Sequence, residues 1–237
     1  MKSITRLSID IGGTFTDLAL EVSGRQFSHK LLTTPRAPER AVLDGARSIL
    51  DEAGIRPDAL SLIIHGTTLA TNAIIERKGA RTALLVTEGF RDSVEMAYEN
   101  RFAQYDLGVE RPKPLVPRYL RWPVSERMGP AGQVWAALDE NSVRALLPKL
   151  EAEKVESVAI GFLHAYANPI NERRAAEIIS EARPDLSISI SSEVCPEVRE
   201  YERLSTTCAN AYVQPLMARY LSELEAGLKS IGADCPL

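Results

Sequence analysis

Asp10-Ile11-Gly12-Gly13-Thr14-Phe15-Thr16-Asp17 sets an acid, two adjacent glycines and two hydroxyl residues in one short stretch. The chemistry open to it is phosphate binding. Gly12 and Gly13 carry no Cβ and can take positive φ, so backbone N–H groups can converge on an anion. Thr14 and Thr16 add hydroxyl donors, and Asp10 is suited to hold a hydrated Mg²⁺, which keeps several waters and needs few carboxylates. A ligand-free structural hairpin satisfies the same spacing. Neither common phosphate motif is present, since no Gly-Lys-Ser/Thr closes the loop and there is no Gly-x-Gly-x-x-Gly. Phe15 is expected as a core anchor and Asp17 as a turn-closing acceptor.

A second group, His65-Gly66-Thr67-Thr68 with Asn72, follows an apolar run and precedes a helical one. Loops at the ends of strands in α/β folds collect ligands. Gly66 suits a sharp corner, Thr67 or Thr68 a helix cap, and His65 titrates in a range useful for proton transfer. A strand-to-helix corner with a hydrogen-bonded histidine reads equally well. Glu76-Arg77-Lys78 is expected as a solvated turn, Glu88-Gly89-Phe90-Arg91-Asp92 as a salt-bridged loop or a cleft wall, and Arg199 to Arg203 as surface ion pairs or an interface.

The elements that position these groups are legible as periodicity. Residues 5–11, 16–22 and 26–32 read as three strands with Ser23-Gly24 as a turn, and Pro38 to Ala53 as an amphipathic helix ended by Gly54. Strands follow at 60–64, 81–87, 157–163 and 186–191, with helices ending near Arg77, from Asp139 to about Ala152, and from Asn168 to Ala182. This alternation predicts an α/β sheet covered by helices. Residues 118–128 and 133–137 are expected to pair across Gly129-Pro130-Ala131-Gly132. The proline-rich stretch from Tyr98 to Pro123 reads as an ordered excursion or lid anchored by Phe102, Tyr105, Tyr119 and Trp122. Residues 196–229 read as mainly helical, with a break near Pro215 and an apolar stripe at Leu216, Tyr220, Leu221, Leu224 and Leu228, which must be buried in this chain or in a partner.

The 237 residues are 45% hydrophobic and 25% charged, an ordinary soluble composition. A net charge of −4 provides no basic stripe, so nucleic acid is not an expected partner. Three cysteines, without an x-x spaced pair, read as reduced thiols, and three scattered histidines offer no zinc site. No run approaches a membrane span, so no membrane partner is expected and the cytoplasm is the expected location.

The stretch at 10–17 resembles the first phosphate loop of the actin, sugar-kinase and Hsp70 ATPase superfamily, and within it the hydantoinase A/5-oxoprolinase group, whose relatives include acetone and acetophenone carboxylases. His65 to Ala80, Glu88 to Asp92, and Ser191-Ser192-Glu193 running on to Arg199-Glu200-Tyr201-Glu202-Arg203 resemble the same group in the same order, from about Arg6 to Leu224. The resemblance implies a ribonuclease H-like half with a mixed sheet and flanking helices, plus a helical C-terminal segment. It implies ATP and Mg²⁺ as cofactors, with Asp10 on the metal side, Gly12, Gly13, Thr14 and Thr16 as the phosphate cradle, and His65, Thr67, Thr68 and Asn72 facing the catalytic cleft. The implied reaction activates a cyclic amide carbonyl by phosphorylation for ring-opening hydrolysis. A ketone carboxylase subunit and a non-catalytic assembly module are the alternatives. The implied partners are a cyclic amide or ketone, a hydantoinase B-type subunit or domain, and further copies in an oligomer. Nothing after Asp17 repeats the Asp-x-Gly-Gly-Thr pattern, so the chain is expected to be an N-terminal portion (1–180 a first domain, 181–237 the start of a second) that does not turn over ATP alone.

Overall fold

The computed structural model describes residues 5–98, 103 and 105–237, a mixed α/β structure in which sheets carry flanking helices. The residues group into two compact units, one of 1–78 with 216–237 and one of 79–215.

In the first unit, β1 (Thr5–Ile11), β2 (Phe15–Val22) and β3 (Arg25–Leu32) form successive antiparallel hairpins. Helix α1 (Pro38–Ala53) crosses to β4 (Leu62–Thr67), which pairs in parallel with β1, giving the order β3-β2-β1-β4. A short α2 (Leu69–Ile75) follows. Pro38 opens α1 because its missing N–H is not needed there, and Gly54 closes it at φ 67°. Gly45 lets the helix sit close on the sheet, since a Cβ there would stand 2.5 Å from Leu18 Cδ1.

Strict alternation decides which side chains face α1. Leu7, Ile9 and Ile11 of β1 and Leu18 and Leu20 of β2 are buried against Val42, Ala46, Ile49 and Leu50. Arg6, Ser8 and Asp10 point to the opposite face. The same register corrects two expectations. Thr16 shares the inner face with Leu18, so Phe15 is turned outward at 45% exposure with Lys30 Nζ 4.7 Å from its ring centroid, and is not a core anchor. Asp17 lies within β2 and holds Lys30 at 2.8 Å instead of closing a turn.

The second unit has its own sheet, so Thr82–Thr87 (β5) starts a new sheet instead of extending the first. After α3 (Ser93–Met96) come β6 (Arg121–Val124), β7 (Arg127–Met128) and β8 (Val134–Ala136). Only β7 and β8 pair across the glycine turn; β6 joins β5 in parallel at the sheet edge, where Pro123 breaks no ladder. Asp139 accepts from the Asn141 amide as a cap, but the helix is two pieces, α4 (Glu140–Arg144) and α5 (Leu147–Ala152), because Pro148 cannot donate back along the helix. Then follow β9 (Ser157–Gly161), α6 (Ile170–Ala182), β10 (Ser187–Ile190) and α7 (Ser191–Val194). The parallel order is β10-β9-β5-β6, and β5 and β9 are buried along their whole lengths, as strands covered on both faces are. Of the expected anchors of the 98–123 excursion, Trp122 is buried, Tyr105 and Tyr119 are exposed, and Phe102 lies outside the described residues.

Helix α8 (Glu200–Ser230) runs through Pro215 without the expected break. Arg203 is not a surface pair: it is fully buried, donating to the carbonyls of Phe162 (3.1 Å) and Glu197 (2.7 Å). Tyr220, Leu224 and Leu228 are buried in the first unit's core, while Leu221 stays 41% exposed. Burial of this stripe within the chain removes the motive for the assembly-module reading. Leu224→Ala is therefore expected to lower the unfolding free energy by about 2–4 kcal/mol. Leu221→Ala is expected to stay within about 0.5 kcal/mol, as surface changes do. Urea unfolding of both variants checks this, and equal small effects would contradict the burial of the stripe.

Candidate phosphate and substrate site

The loop between β1 and β2 is held from below. Gly12 N–H donates to the Phe15 carbonyl at 2.9 Å, and the Gly12 carbonyl accepts from Thr33 Oγ1 at 2.9 Å. Thr33 Oγ1 also meets Thr16 Oγ1 at 2.9 Å, and Thr33 N–H donates to the Thr14 carbonyl. Thr16 is thus buried beneath the loop and spends its hydroxyl on Thr33, apart from the loop's open side. The N–H groups of Gly13 and Thr14 have no partner among the described residues and sit at the exposed tip. Neither Gly12 nor Gly13 has positive φ. A Cβ on Gly13 would stand 3.2 Å from Asn72 Nδ2, so a side chain there would press Asn72 back by a few tenths of an ångström.

The second sequence group arrives at the same place because β4 is parallel to β1. Gly66 lies opposite Asp10 in register and Thr67 opposite Ile11. Gly66 is therefore a strand residue, not a corner, and its missing side chain leaves space 3.6 Å from Asp10 Oδ1. Thr68 N–H donates to the Ile11 carbonyl at 3.2 Å, which ties α2 to the end of β1. Thr67 Oγ1 accepts from Leu69 N–H at 3.1 Å, and Thr68 Oγ1 accepts from Asn72 Nδ2 at 3.2 Å. The structure thus brings Asp10, Gly12, Gly13, Thr14, His65, Thr67, Thr68 and Asn72 to one end of the sheet.

His65 is half-buried, and its Nε2 lies 2.9 Å from the Tyr220 hydroxyl. Burial pushes its pKa below the ordinary value, outweighing the upward pull of the Asp10 charge. Its Nδ1 is buried without a partner among the described residues. Burial likewise drives the Tyr220 hydroxyl strongly upward, so Tyr220 stays protonated. A neutral imidazole can accept or relay a proton; by register His65 shares the α1 face with Ile9, whereas Asp10 lies on the opposite face. Tyr220 and Thr33 escaped the sequence reading. The first looked like one more apolar position on a helix 155 residues from His65, and the second follows a strand with no motif around it.

The group can be tested against ATP and Mg²⁺. Free amides at a glycine tip suit phosphate oxygens, and Asp10 has no hydrogen bond or ion pair of its own among the described residues. One carboxylate with room beside it suits a hydrated Mg²⁺; no cluster of three or more metal-binding side chains occurs among the described residues, as a dedicated cage would require. Beside Gly13 and Asn72 opens a cavity of about 270 Å³, also walled by Glu39, Lys78, Arg219 and Tyr220. A larger cavity of about 640 Å³ lies in the second unit and touches none of these residues. It borders Cys208, whose thiol burial pushes up to about 12, which leaves it no nucleophile. The Glu88–Asp92 loop spends its charges locally, Asp92 on Arg118 at 2.8 Å and Arg91 on the Arg118 carbonyl. Glu76 and Lys78 pair at 2.6 Å in an exposed turn.

Residues 6–183 match the family described as the hydantoinase/oxoprolinase N-terminal region, and the chain belongs to that family. Caprolactamase subunit alpha of Pseudomonas jessenii is 37% identical over 242 residues, covering 99% of this chain and 35% of the relative. The solved structure of ATP-dependent caprolactamase from Pseudomonas jessenii matches with a TM-score of 0.88 at 36% identity, over 98% of this chain and 34% of that one. Nucleotide-free acetone carboxylase matches with a TM-score of 0.85 at 27% identity, over 97% of this chain and 35% of that one. The chain spans about a third of the length of the relatives it matches.

Because the folded-state pKa of His65 lies below its unfolded value, the unfolded chain binds the extra proton first. The contribution of neutral His65 to stability is present above the ordinary value near 6.5 and is lost as pH falls through the depressed one. An NMR titration is expected to place the His65 midpoint below 6.5, and His65→Asn to flatten the acid side of the stability profile. A midpoint above the ordinary value would contradict the geometry.

Proposed function

We propose that this chain is the phosphate-binding N-terminal portion of an ATP-dependent enzyme that phosphorylates the carbonyl oxygen of a cyclic amide, preparing the ring for hydrolysis. The observation that carries this reading is the strand-end loop itself, in which Asp10 and the amide N–H groups of Gly13 and Thr14 all lack a partner among the described residues. An amide carbonyl is poorly electrophilic; a phosphate ester on its oxygen is a far better leaving group. Catalysis of such a transfer rests on positioning and on neutralising phosphoryl charge. Gly13 and Thr14 would hold phosphate oxygens, Asp10 the Mg²⁺ side, and His65 a proton, with Thr67, Thr68 and Asn72 shaping the wall. Thr16 acts from below by fixing the loop through Thr33.

The same proposal includes a hydantoinase B-type partner subunit or domain, an oligomeric assembly, a cytoplasmic location, and a division of the sequence near 180 into a first domain and the start of a second. Phosphorylation of an enol in a ketone carboxylase is the second reading, favoured by the likeness to acetone carboxylase.

Calorimetry with Mg-ATP is expected to show saturable, Mg²⁺-dependent binding. Gly13→Ala, which crowds Asn72, and Asp10→Asn are each expected to weaken it by about tenfold or more, equivalent to about 1.4 kcal/mol. Binding indifferent to both substitutions, or none by a chain folded by circular dichroism, would contradict the assignment.

A further inference from the structure

The loop between β1 and β2 has no cation of its own. Residues 10–17 hold neither lysine nor arginine, and Lys30 across the hairpin is spent on Asp17 at 2.8 Å. A Mg²⁺ ion offsets only part of the charge on a phosphate chain, so phosphoryl-transfer sites add lysine or arginine to their backbone amides. The cavity of about 270 Å³ that Gly13 and Asn72 border has three cations on its wall, Arg36, Lys78 and Arg219. Lys78 is committed to Glu76 at 2.6 Å. Arg36 and Arg219 are exposed to solvent and make no hydrogen bond, ion pair or ring contact among the described residues.

Both arginines sit on segments tied to the site. Arg36 lies in a turn closed by Ala37 N–H on the Thr34 carbonyl at 3.1 Å. That turn hangs from the loop through Thr33, whose N–H meets the Thr14 carbonyl at 2.9 Å. Arg219 precedes Tyr220, whose hydroxyl lies 2.9 Å from His65 Nε2, so α8 is pinned to β4 at this point. The carboxylates of the same wall do not use the two arginines. Glu76 is neutralised by Lys78, and Glu39 lies in the first turn of α1, where the helix dipole favours a carboxylate. Glu223, one turn along α8, pairs with neither arginine among the described residues. Each guanidinium therefore keeps its planar fork of donors, the geometry that matches two phosphate oxygens.

We propose that Arg36 and Arg219 supply the positive charge that the loop lacks, meeting the terminal phosphate of the nucleotide while the Gly13 and Thr14 amides hold oxygens beside it. The cavity is small for a nucleoside, so the end of the nucleotide that enters it is the phosphate end. Charge placed there neutralises the group being transferred, where it counts most. The proposal rests on the phosphate-loop reading and names residues for which that reading has no role.

The test is calorimetry of the unaltered chain, Arg36→Ala, Arg219→Ala and Arg219→Lys with Mg-ATP, Mg-ADP and Mg-tripolyphosphate, the last carrying the phosphates without the nucleoside. Each alanine variant is expected to weaken Mg-ATP and Mg-tripolyphosphate by about tenfold and Mg-ADP by about twofold or less, with Arg219→Lys retaining part of the affinity. Both side chains are exposed, so circular dichroism is expected to show all variants folded. Mg-ATP affinity unchanged in both alanine variants, while Gly13→Ala loses it, overturns the proposal and leaves the phosphate loop standing. An effect at one arginine alone overturns the assignment of the other, and equal losses for Mg-ATP and Mg-ADP overturn the placement at the terminal phosphate. An unaltered chain that binds none of the three ligands overturns this inference and the phosphate-loop reading together.

Discussion

The parallel pairing of β1 with β4 is the constraint on which the site depends. It sets Gly66 against Asp10 and brings Thr68 N–H to the Ile11 carbonyl. Through that bond α2 begins at the end of β1, and Asn72 comes to rest against Gly13. A one-residue slip would turn Asp10 inward and Ile9 outward, exchanging the whole apolar face for the polar one. The core under α1 therefore fixes the register, and the register fixes the chemistry above it. Burial of Leu7, Ile9, Ile11, Leu18 and Leu20, each contributing about 1.5–3 kcal/mol, makes that choice strongly preferred.

The loop itself is held by a second device. Thr33 joins the Gly12 carbonyl, the Thr16 hydroxyl and the Thr14 carbonyl, so three points below the tip are fixed while the amides of Gly13 and Thr14 stay open. Preorganised donors of this kind need no rearrangement when an anion arrives. In the second unit, polar groups at the ends of the parallel strands are spent on structure. Glu172 is buried and accepts from Phe162 N–H, Ser191 Oγ and Ser192 N–H. Burial pushes its carboxyl upward while those donors oppose the shift. Arg203 binds the Phe162 carbonyl from the other side, so the motif around it acts by holding a loop.

Much of this was legible in the chain because local rules govern it. The first three strands, α1 with its glycine stop, and the two motif groups follow from periodicity and turn chemistry. What stayed hidden was non-local. Alternation along β2 could be counted, yet the short spacing of Phe15 and Thr16 around the loop made either residue a plausible inward one. The roles of Thr33 and Tyr220 depend on strand pairing and on the return of α8, which no sequence window contains. Prolines also misled in both directions. Pro148 divided a helix that periodicity ran together, whereas Pro215 did not divide α8, whose neighbours Ala211, Tyr212, Tyr220 and Leu224 are buried.

The central claim, that the 10–14 loop and the start of α2 form one anion site, is tested most directly by following backbone amide resonances of the ¹⁵N-labelled chain during addition of a non-hydrolysable Mg-ATP analogue. The largest shifts are expected at Gly13 and Thr14, with Thr68 and Asn72 moving along the same binding curve. Shifts confined to residues of the second unit, or none at Gly13 and Thr14 while others saturate, would contradict it.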